Sequence, residues 1–399
     1  GEGVEGYGGK CVFHATPPII TFGGGRRKVT VGDARGYSRS MRMRSAAVLG
    51  LALLCEAVLS AAVPHPADWV PVRWPWTDVK SLELLSGTAI NCLLLKGYPE
   101  TLVTAAAERG VATLAVLTPG GDVMSAARAA IAAKVNGIVL EGEFPEGAAA
   151  DVRETAAGAA GSPPVIELTP RNRIAMGSAA PVVGTYQGVW PGIVIAENGS
   201  KKSGPTAASW IETNTGFLRT VRARGEGGDT AVWIANQPPA RSVISGSRYL
   251  QAIADAGISG ARWVLTLDAD FAGRLAKRDS AAQDDWKRMV GLVSYFEQHP
   301  EWRRMRQTGK QAVVRLFNAS SMLSNYLASE DGKSAVVLLV NYSDYPVENV
   351  AMHYRGNYQH ATLIAPDGAE KKLEVYKTDE GWGVDVDKVS VCAAVRLEQ

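Results

Sequence analysis

Two segments of the 399-residue chain close in the same way, each an apolar run followed by acid-x-acid-aromatic: Gly137-Ile-Val-Leu-Glu-Gly-Glu-Phe144 and Trp263-Val-Leu-Thr-Leu-Asp-Ala-Asp-Phe271. Paired carboxylates from separate strands are the equipment for acid/base work on a glycosidic bond. One carboxyl must keep its proton while the other is ionised, and differences in burial and neighbouring charge can set the two apart. Short runs with this β-branched content read as fully buried parallel strands. Glu141, Glu143, Asp268 and Asp270 then stand where two strands leave the core, and in α/β architectures that carboxyl edge is where ligands bind. With i, i+2 spacing at a strand end, one acid of a pair is expected to face inward and the other to meet a loop. The competing role for all four is helix capping or pairing with a nearby Arg or Lys.

Around these acids lie residues suited to holding a sugar. Tyr186-Gln-Gly-Val-Trp190 follows one apolar run, and Trp210-Ile-Glu-Thr-Asn214 precedes the next. Tyr186, Trp190 and Trp210 offer flat apolar faces to sugar rings, while Gln187, Asn214 and Asn236 can hydrogen-bond hydroxyls. Glu212 is a further candidate carboxylate. Core packing is the alternative for Trp190 and Trp210. In Glu167-Leu-Thr-Pro-Arg171-Asn-Arg173 two cations follow another run. Arg171 suits a uronate or phosphate group, with an internal ion pair to Glu167 or a neighbouring acid as the competing role.

The absences narrow the chemistry. His299 is the only histidine between Ser81 and Phe317, which argues against a His-ligated metal centre and a Ser-His-Asp system. No phosphate-binding Gly-rich loop occurs, and no cofactor is expected. Chemistry in this region must run on carboxylates.

The elements that would position them alternate regularly. Apolar runs at 89–95, 112–117, 137–140, 164–168, 181–185, 231–235, 261–267 and 312–317 are separated by Ala-rich stretches with helical spacing. Eight such strands over about 240 residues fit an α/β fold of the (β/α)8 barrel type, here spanning 81–329. An open doubly wound sheet is the alternative, but its G-x-G-x-x-G signature is missing from the expected place. The 169–180 connection is short for a helix. Beyond Ser329 come short β segments with turns such as Pro366-Asp-Gly368, which predict a small antiparallel β-sandwich over 330–399.

The N-terminal region reads differently. Met41-Arg-Met-Arg-Ser opens a basic segment, an apolar run follows at 46–54, and Ser60 and Ala62 precede a plausible cleavage before Val63. This predicts a secretory signal peptide over 41–62, with 1–40 as translated upstream sequence and 63–80 as an extended Trp- and Pro-rich lead-in. The first 62 residues hold 8 of the 42 Lys and Arg but only 4 of the 40 Asp and Glu. The remainder, 34 positive and 36 negative, carries no basic patch that argues for nucleic acid. It also has no apolar run long enough to span a bilayer once the signal is cleaved. The expected location is therefore secreted or periplasmic. Cys92 sits in an apolar run and is expected to be a buried free thiol.

With these features assembled, the chain resembles the glycoside hydrolases of the amylase and β-galactosidase type, exported barrels followed by a small β domain. The stretch Val336-Val-Leu-Leu-Val-Asn-Tyr-Ser-Asp-Tyr-Pro-Val-Glu-Asn-Val350 is similar to the opening strands of their C-terminal domains. Gly188-Val-Trp-Pro-Gly192 and Arg262-Trp-Val-Leu-Thr-Leu-Asp268 resemble, more narrowly, a group of exported bacterial barrel proteins of unassigned activity. The resemblance implies O-glycosyl hydrolysis by a carboxylate pair at the barrel's C-terminal face, with Asp268 and Glu141 first and Glu143, Asp270 and Glu212 in reserve. The partner is then a carbohydrate substrate. The alternative of a different class is a catalytically silent barrel that binds glycans or supports a cell-surface assembly.

Overall fold

The structure is a computed structural model that describes residues 62–174, 180–191, 193–197, 200–204, 213–224, 230–307 and 313–399. All of them belong to one compact unit, Val58–Gln399. The proposed leader, Trp210 and Glu212 lie outside the described residues.

A parallel sheet closes on itself. In chain order its strands are β1 (Pro71–Arg73), β2 (Cys92–Leu95), β3 (Ala112–Leu117), β4 (Gly137–Glu141), β5 (Val165–Thr169) and β6 (Val182–Thr185). The chain then makes a hairpin of β7 (Ile193–Glu197) and β8 (Ser200–Gly204), returns to the sheet as β9 (Ala231–Ile234), and pairs β10 (Ser242–Val243) with β8. The last staves are β11 (Arg262–Trp263) and β12 (Leu265–Thr266), two halves of one strand. The first half pairs with β9 and the second with β1, so eight strand positions form a closed barrel.

The count of eight matches the sequence reading, but the identity of the staves is corrected. The first stave is β1, inside the segment read as a lead-in, and the eighth is residues 262–266. Three residues flanked by Pro and Trp are too few to register as an apolar run. The run at 312–317 instead supplies β14 (Val314–Phe317), an antiparallel strand of the second domain. Its alternating burial is what a sheet with one wet face produces.

Helices cover the barrel: α1 (Glu100–Glu108), α2 (Val123–Ala132), α3 (Ala148–Ala157), α4 (Asn214–Arg224), α5 (Gly246–Gly257), α6 (Ala269–Ala276) and α7 (Ser280–Glu297). Asp122, Asp268 and Asp279 cap α2, α6 and α7 by accepting from backbone N–H groups of the first turn. The β5–β6 connection holds a short 3-10 turn, Arg171–Arg173, and among the described residues no α-helix. Trp69, Leu94, Leu114, Val139, Leu168, Trp233 and Val264 fill the barrel interior. Glycine is required at Gly184 on β6, where a Cβ would fall 2.5 Å from Leu168 and 2.7 Å from the Trp233 carbonyl oxygen.

After a short α8 (Glu301–Arg304) come two antiparallel sheets. One contains β13 (Arg306–Gln307), β15 (Met322–Ala328), β16 (Ser334–Asn341), β18 (His360–Ile364), β19 (Glu370–Leu373) and β22 (Cys392–Glu398). The other contains β14, β17 (Val347–Tyr354), β20 (Tyr376–Thr378) and β21 (Gly381–Val389). The sandwich therefore starts ahead of Ser329, with β14 and β15 already paired into it. Val337 and Leu339 of β16 face the sandwich interior, while Val336, Leu338 and Val340 join the core formed with α5 and α7. Burial on both faces explains why this antiparallel strand is a continuous apolar run. Polar ties run along the same seam: Gln251 Nε2 donates to the Ser343 carbonyl at 2.8 Å, and Tyr342 Oη to Asp255 Oδ1 at 2.7 Å.

Candidate functional site

The alternation of inward and outward residues decides which acids reach the barrel mouth. On β4 Val139 points inward, so Glu141, two residues on, continues the same face at the carboxyl edge. On β1 Val72 packs outward, and Arg73 turns inward from the far side of the sheet. The two meet in an ion pair through Arg73 Nη2 and Glu141 Oε1, with side chains only 8% and 10% exposed. Arg73 Nε and Nη1 are also buried and find no acceptor among the described residues. A guanidinium so held leaves two N–H-bearing nitrogens for a further acceptor. Arg73 was not visible from the sequence; its one signal is the inward parity shared with Trp69.

Asp268 has a different occupation. It is 3% exposed and stands at the N-terminus of α6. Its Oδ1 accepts from Phe271 N at 3.0 Å, and Oδ2 accepts from Ile244 N at 3.1 Å and from Tyr249 Oη at 2.8 Å. The Tyr249 oxygen in turn accepts from Asp268 N at 2.7 Å. Burial first, and the Asp268 charge second, push the Tyr249 phenol far above its ordinary range, so it remains a donor. Both carboxylate oxygens are thus committed to fixing the end of the eighth strand. Asp268 and Glu141 stand on opposite staves of the barrel, the eighth and the fourth, but only Glu141 is turned to the interior with a cation beside it.

Glu143 and Asp270 lie at the surface. Glu143 meets Arg173 at 3.5 Å, and Asp270 meets Arg274 at 2.9 Å one helical turn on, all with well-exposed side chains. The expected division within each pair, one acid inward and one on a loop, holds for Glu141 and Glu143.

The remaining candidates build the loop after β6. Gly188 N donates to the Ala235 carbonyl, and Asn236 Nδ2 donates to the Gly188 carbonyl at 2.6 Å. A Cβ on Gly188 would lie 2.7 Å from Ile234 and 2.9 Å from the Trp263 ring, which accounts for the first glycine of the Gly-Val-Trp-Pro-Gly motif. Trp190 packs edge-on against Tyr249 and Trp263, with centroids at 5.4 and 5.0 Å, and is half-buried in the core. Asn214 is fully buried, exchanging 2.8 Å bonds with both backbone groups of Val189. Asp255 holds it there, accepting from Asn214 N at 2.8 Å and Nδ2 at 2.9 Å. These residues shape the loop from behind. Tyr186, half-buried above the barrel interior, and exposed Gln187 remain at the mouth.

Of the two cations after β5, Arg173 is paired with Glu143, and Glu167 is taken by Arg153. Arg171 has neither. Its backbone N–H donates to Gln187 Oε1 at 3.1 Å and its guanidinium lies 5.8 Å from the centre of the Phe217 ring on α4. Among the described residues no group of three His, Cys, Asp or Glu gathers as a metal site, and no helix is long and apolar enough to cross a membrane.

No protein-family model matches the chain, and no curated protein matches it in sequence. Solved structures do match in fold. A noncanonic maltogenic α-amylase from Thermotoga neapolitana superposes with a TM-score of 0.51 at 12% identity, covering 86% of this chain and 100% of its own. An α-L-fucosidase isoenzyme from Paenibacillus thiaminolyticus gives 0.50 at 8% identity, covering 84% and 98%. Such identities establish the architecture alone. This chain shares with these two structures the fold of a (β/α)8 barrel followed by a C-terminal β-sandwich.

Proposed function

We propose that the barrel mouth is a carbohydrate site centred on Glu141 and Arg73, and that this exported protein hydrolyses a glycosidic bond there. The observation that supports the reading is the buried inward carboxylate of Glu141 beside a guanidinium with two further nitrogens unpartnered among the described residues. In this role Glu141 acts as nucleophile or as base for water. Arg73 stabilises its charge and hydrogen-bonds a sugar oxygen. The proton donor comes from another element. The three bonds that Asp268 accepts argue against it as that donor, and Glu212, two residues before α4 in the sequence, is our candidate. Export rests on the basic and apolar segment before Val63. N-terminal sequencing of secreted or periplasmic material beginning at Val63 supports it, and an intact leader there opposes it.

A second reading, glycan binding without cleavage, is favoured by the same engagement of Asp268 together with the surface pairing of Glu143 and Asp270. A panel of chromogenic α- and β-glycosides separates the two. Hydrolysis that drops on the order of 10²–10⁴-fold in Glu141→Gln and Glu212→Gln but stays near wild type in Asp268→Asn supports the hydrolase. Turnover unchanged in Glu141→Gln overturns it. Saturable oligosaccharide binding with no turnover, lost in Glu141→Gln, establishes the binding reading instead.

A further inference from the structure

We propose that Arg171 selects a glycan bearing an anionic substituent, a carboxylate, sulfate or phosphate, and is the specificity determinant of the mouth. The inference rests on the carbohydrate reading of that mouth and adds the charge of the ligand to it.

Six charged residues lie at the carboxyl ends of the barrel strands or within three residues beyond them: Arg73, Lys96, Glu141, Glu143, Arg171 and Asp268. Glu141 is neutralised by Arg73, Glu143 by Arg173, and Asp268 is buried among donors. Glu167, the nearest acid in sequence to Arg171, is held by Arg153 on α3. Lys96 and Arg171 are left without a carboxylate among the described residues. Lys96 is exposed, and solvent satisfies its flexible ammonium at little cost. Arg171 is different because it is half-buried and fixed.

Three features fix it. Pro170 sets the backbone at the start of the 3-10 turn, Gln187 accepts the Arg171 backbone N–H, and Phe217 lies under the guanidinium. The aromatic face attracts the cation but accepts none of its five in-plane N–H groups as a carboxylate would. A partly desolvated guanidinium with its fork unfilled is matched to a planar or tetrahedral oxyanion bound through two parallel hydrogen bonds. Its neighbour is the mouth residue Gln187, so such an anion would belong to a ligand already seated over the barrel.

The test is calorimetric titration of the full chain with four oligosaccharides of one ring type: neutral, uronate, 6-sulfate and 6-phosphate. One acidic ligand is expected to bind about tenfold tighter than the neutral one, which identifies the anion. In Arg171→Gln that preference should shrink to about twofold, and Arg171→Lys should restore part of it. Thermal melting of each variant confirms the fold. Equal binding of neutral and acidic ligands by the wild type, or a preference that survives Arg171→Gln, overturns the proposal. If neutral binding is nevertheless abolished by Glu141→Gln, the carbohydrate mouth stands and only the role of Arg171 falls. If none of the four ligands binds and no glycoside is turned over, both fall together.

Discussion

Asp268 looks catalytic in the sequence and structural in the fold, and substitution can tell these roles apart. Replacement by Ala removes the α6 cap bond to Phe271 N and leaves Ile244 N and the Tyr249 hydroxyl hydrogen without their acceptor, all at a site 3% exposed. A lost cap costs about 1 kcal/mol. Each buried donor left unmade costs about 1–3 kcal/mol. Allowing for partial relaxation, Asp268→Ala should destabilise the protein by about 4 kcal/mol. Asp268→Asn keeps one acceptor oxygen, and Asn is itself a good N-cap. Its amide must still turn NH₂ toward a donor on one side, at about 2 kcal/mol. With roughly 2–4 °C of Tm per kcal/mol for large domains, the two variants should melt about 8–16 and 4–8 °C below wild type. Urea unfolding followed by tryptophan fluorescence gives the free energies. Tyr249→Phe supplies the cycle: because it removes the same bond, its cost should be markedly smaller in an Asp268→Asn background. The assignment collapses if Asp268→Asn unfolds like wild type yet loses glycoside turnover or binding a thousandfold, since that pattern belongs to a reacting group.

Other parts of the structure give shorter tests. Burial raises the Glu297 carboxyl, but the bidentate bonds of Arg262 and the charge of Arg303 outweigh it, so its net shift is downward. The stability it contributes is therefore present above the unfolded-state value near 4.3 and is lost as pH falls through the folded-state value. Glu297→Gln should cost about 3–5 kcal/mol at pH 7 and flatten the acid limb of a stability–pH curve; a parallel acid limb counts against this. Cys92 and Cys392 are buried free thiols, with burial pushing both upward, Cys392 to about 12. Both should resist a thiol reagent in the native chain and react on denaturation, whereas fast native labelling would contradict their burial. Gly184→Ala should overpack the barrel interior beside Leu168 and Trp233 and lower stability by about 1–3 kcal/mol, read from the denaturant midpoint.

Legibility in the sequence followed how strongly each residue's environment was written into its neighbours. The staves at 112–117 and 137–141 were visible because burial on both faces forces a continuous apolar run. β1 was not, because a three-residue strand between prolines has no room for a pattern, and with it went Arg73, the partner of Glu141. The hairpin of β7 and β8 was also missed, although an Asn-Gly dipeptide separates its two strands in the sequence, the strongest short-range hairpin signal. The site divides along the same line. Glu141 and Asp268 share one sequence pattern, an acid closing an apolar run. What separates them comes from elsewhere in the chain: a cation 68 residues away for Glu141, and a tyrosine 19 residues before Asp268 with a backbone N–H 24 residues before it. A local motif can place a carboxylate at a strand end. Whether that carboxylate meets a guanidinium at the barrel mouth or a helix N-terminus is decided by long-range partners, and here one pattern produced both outcomes.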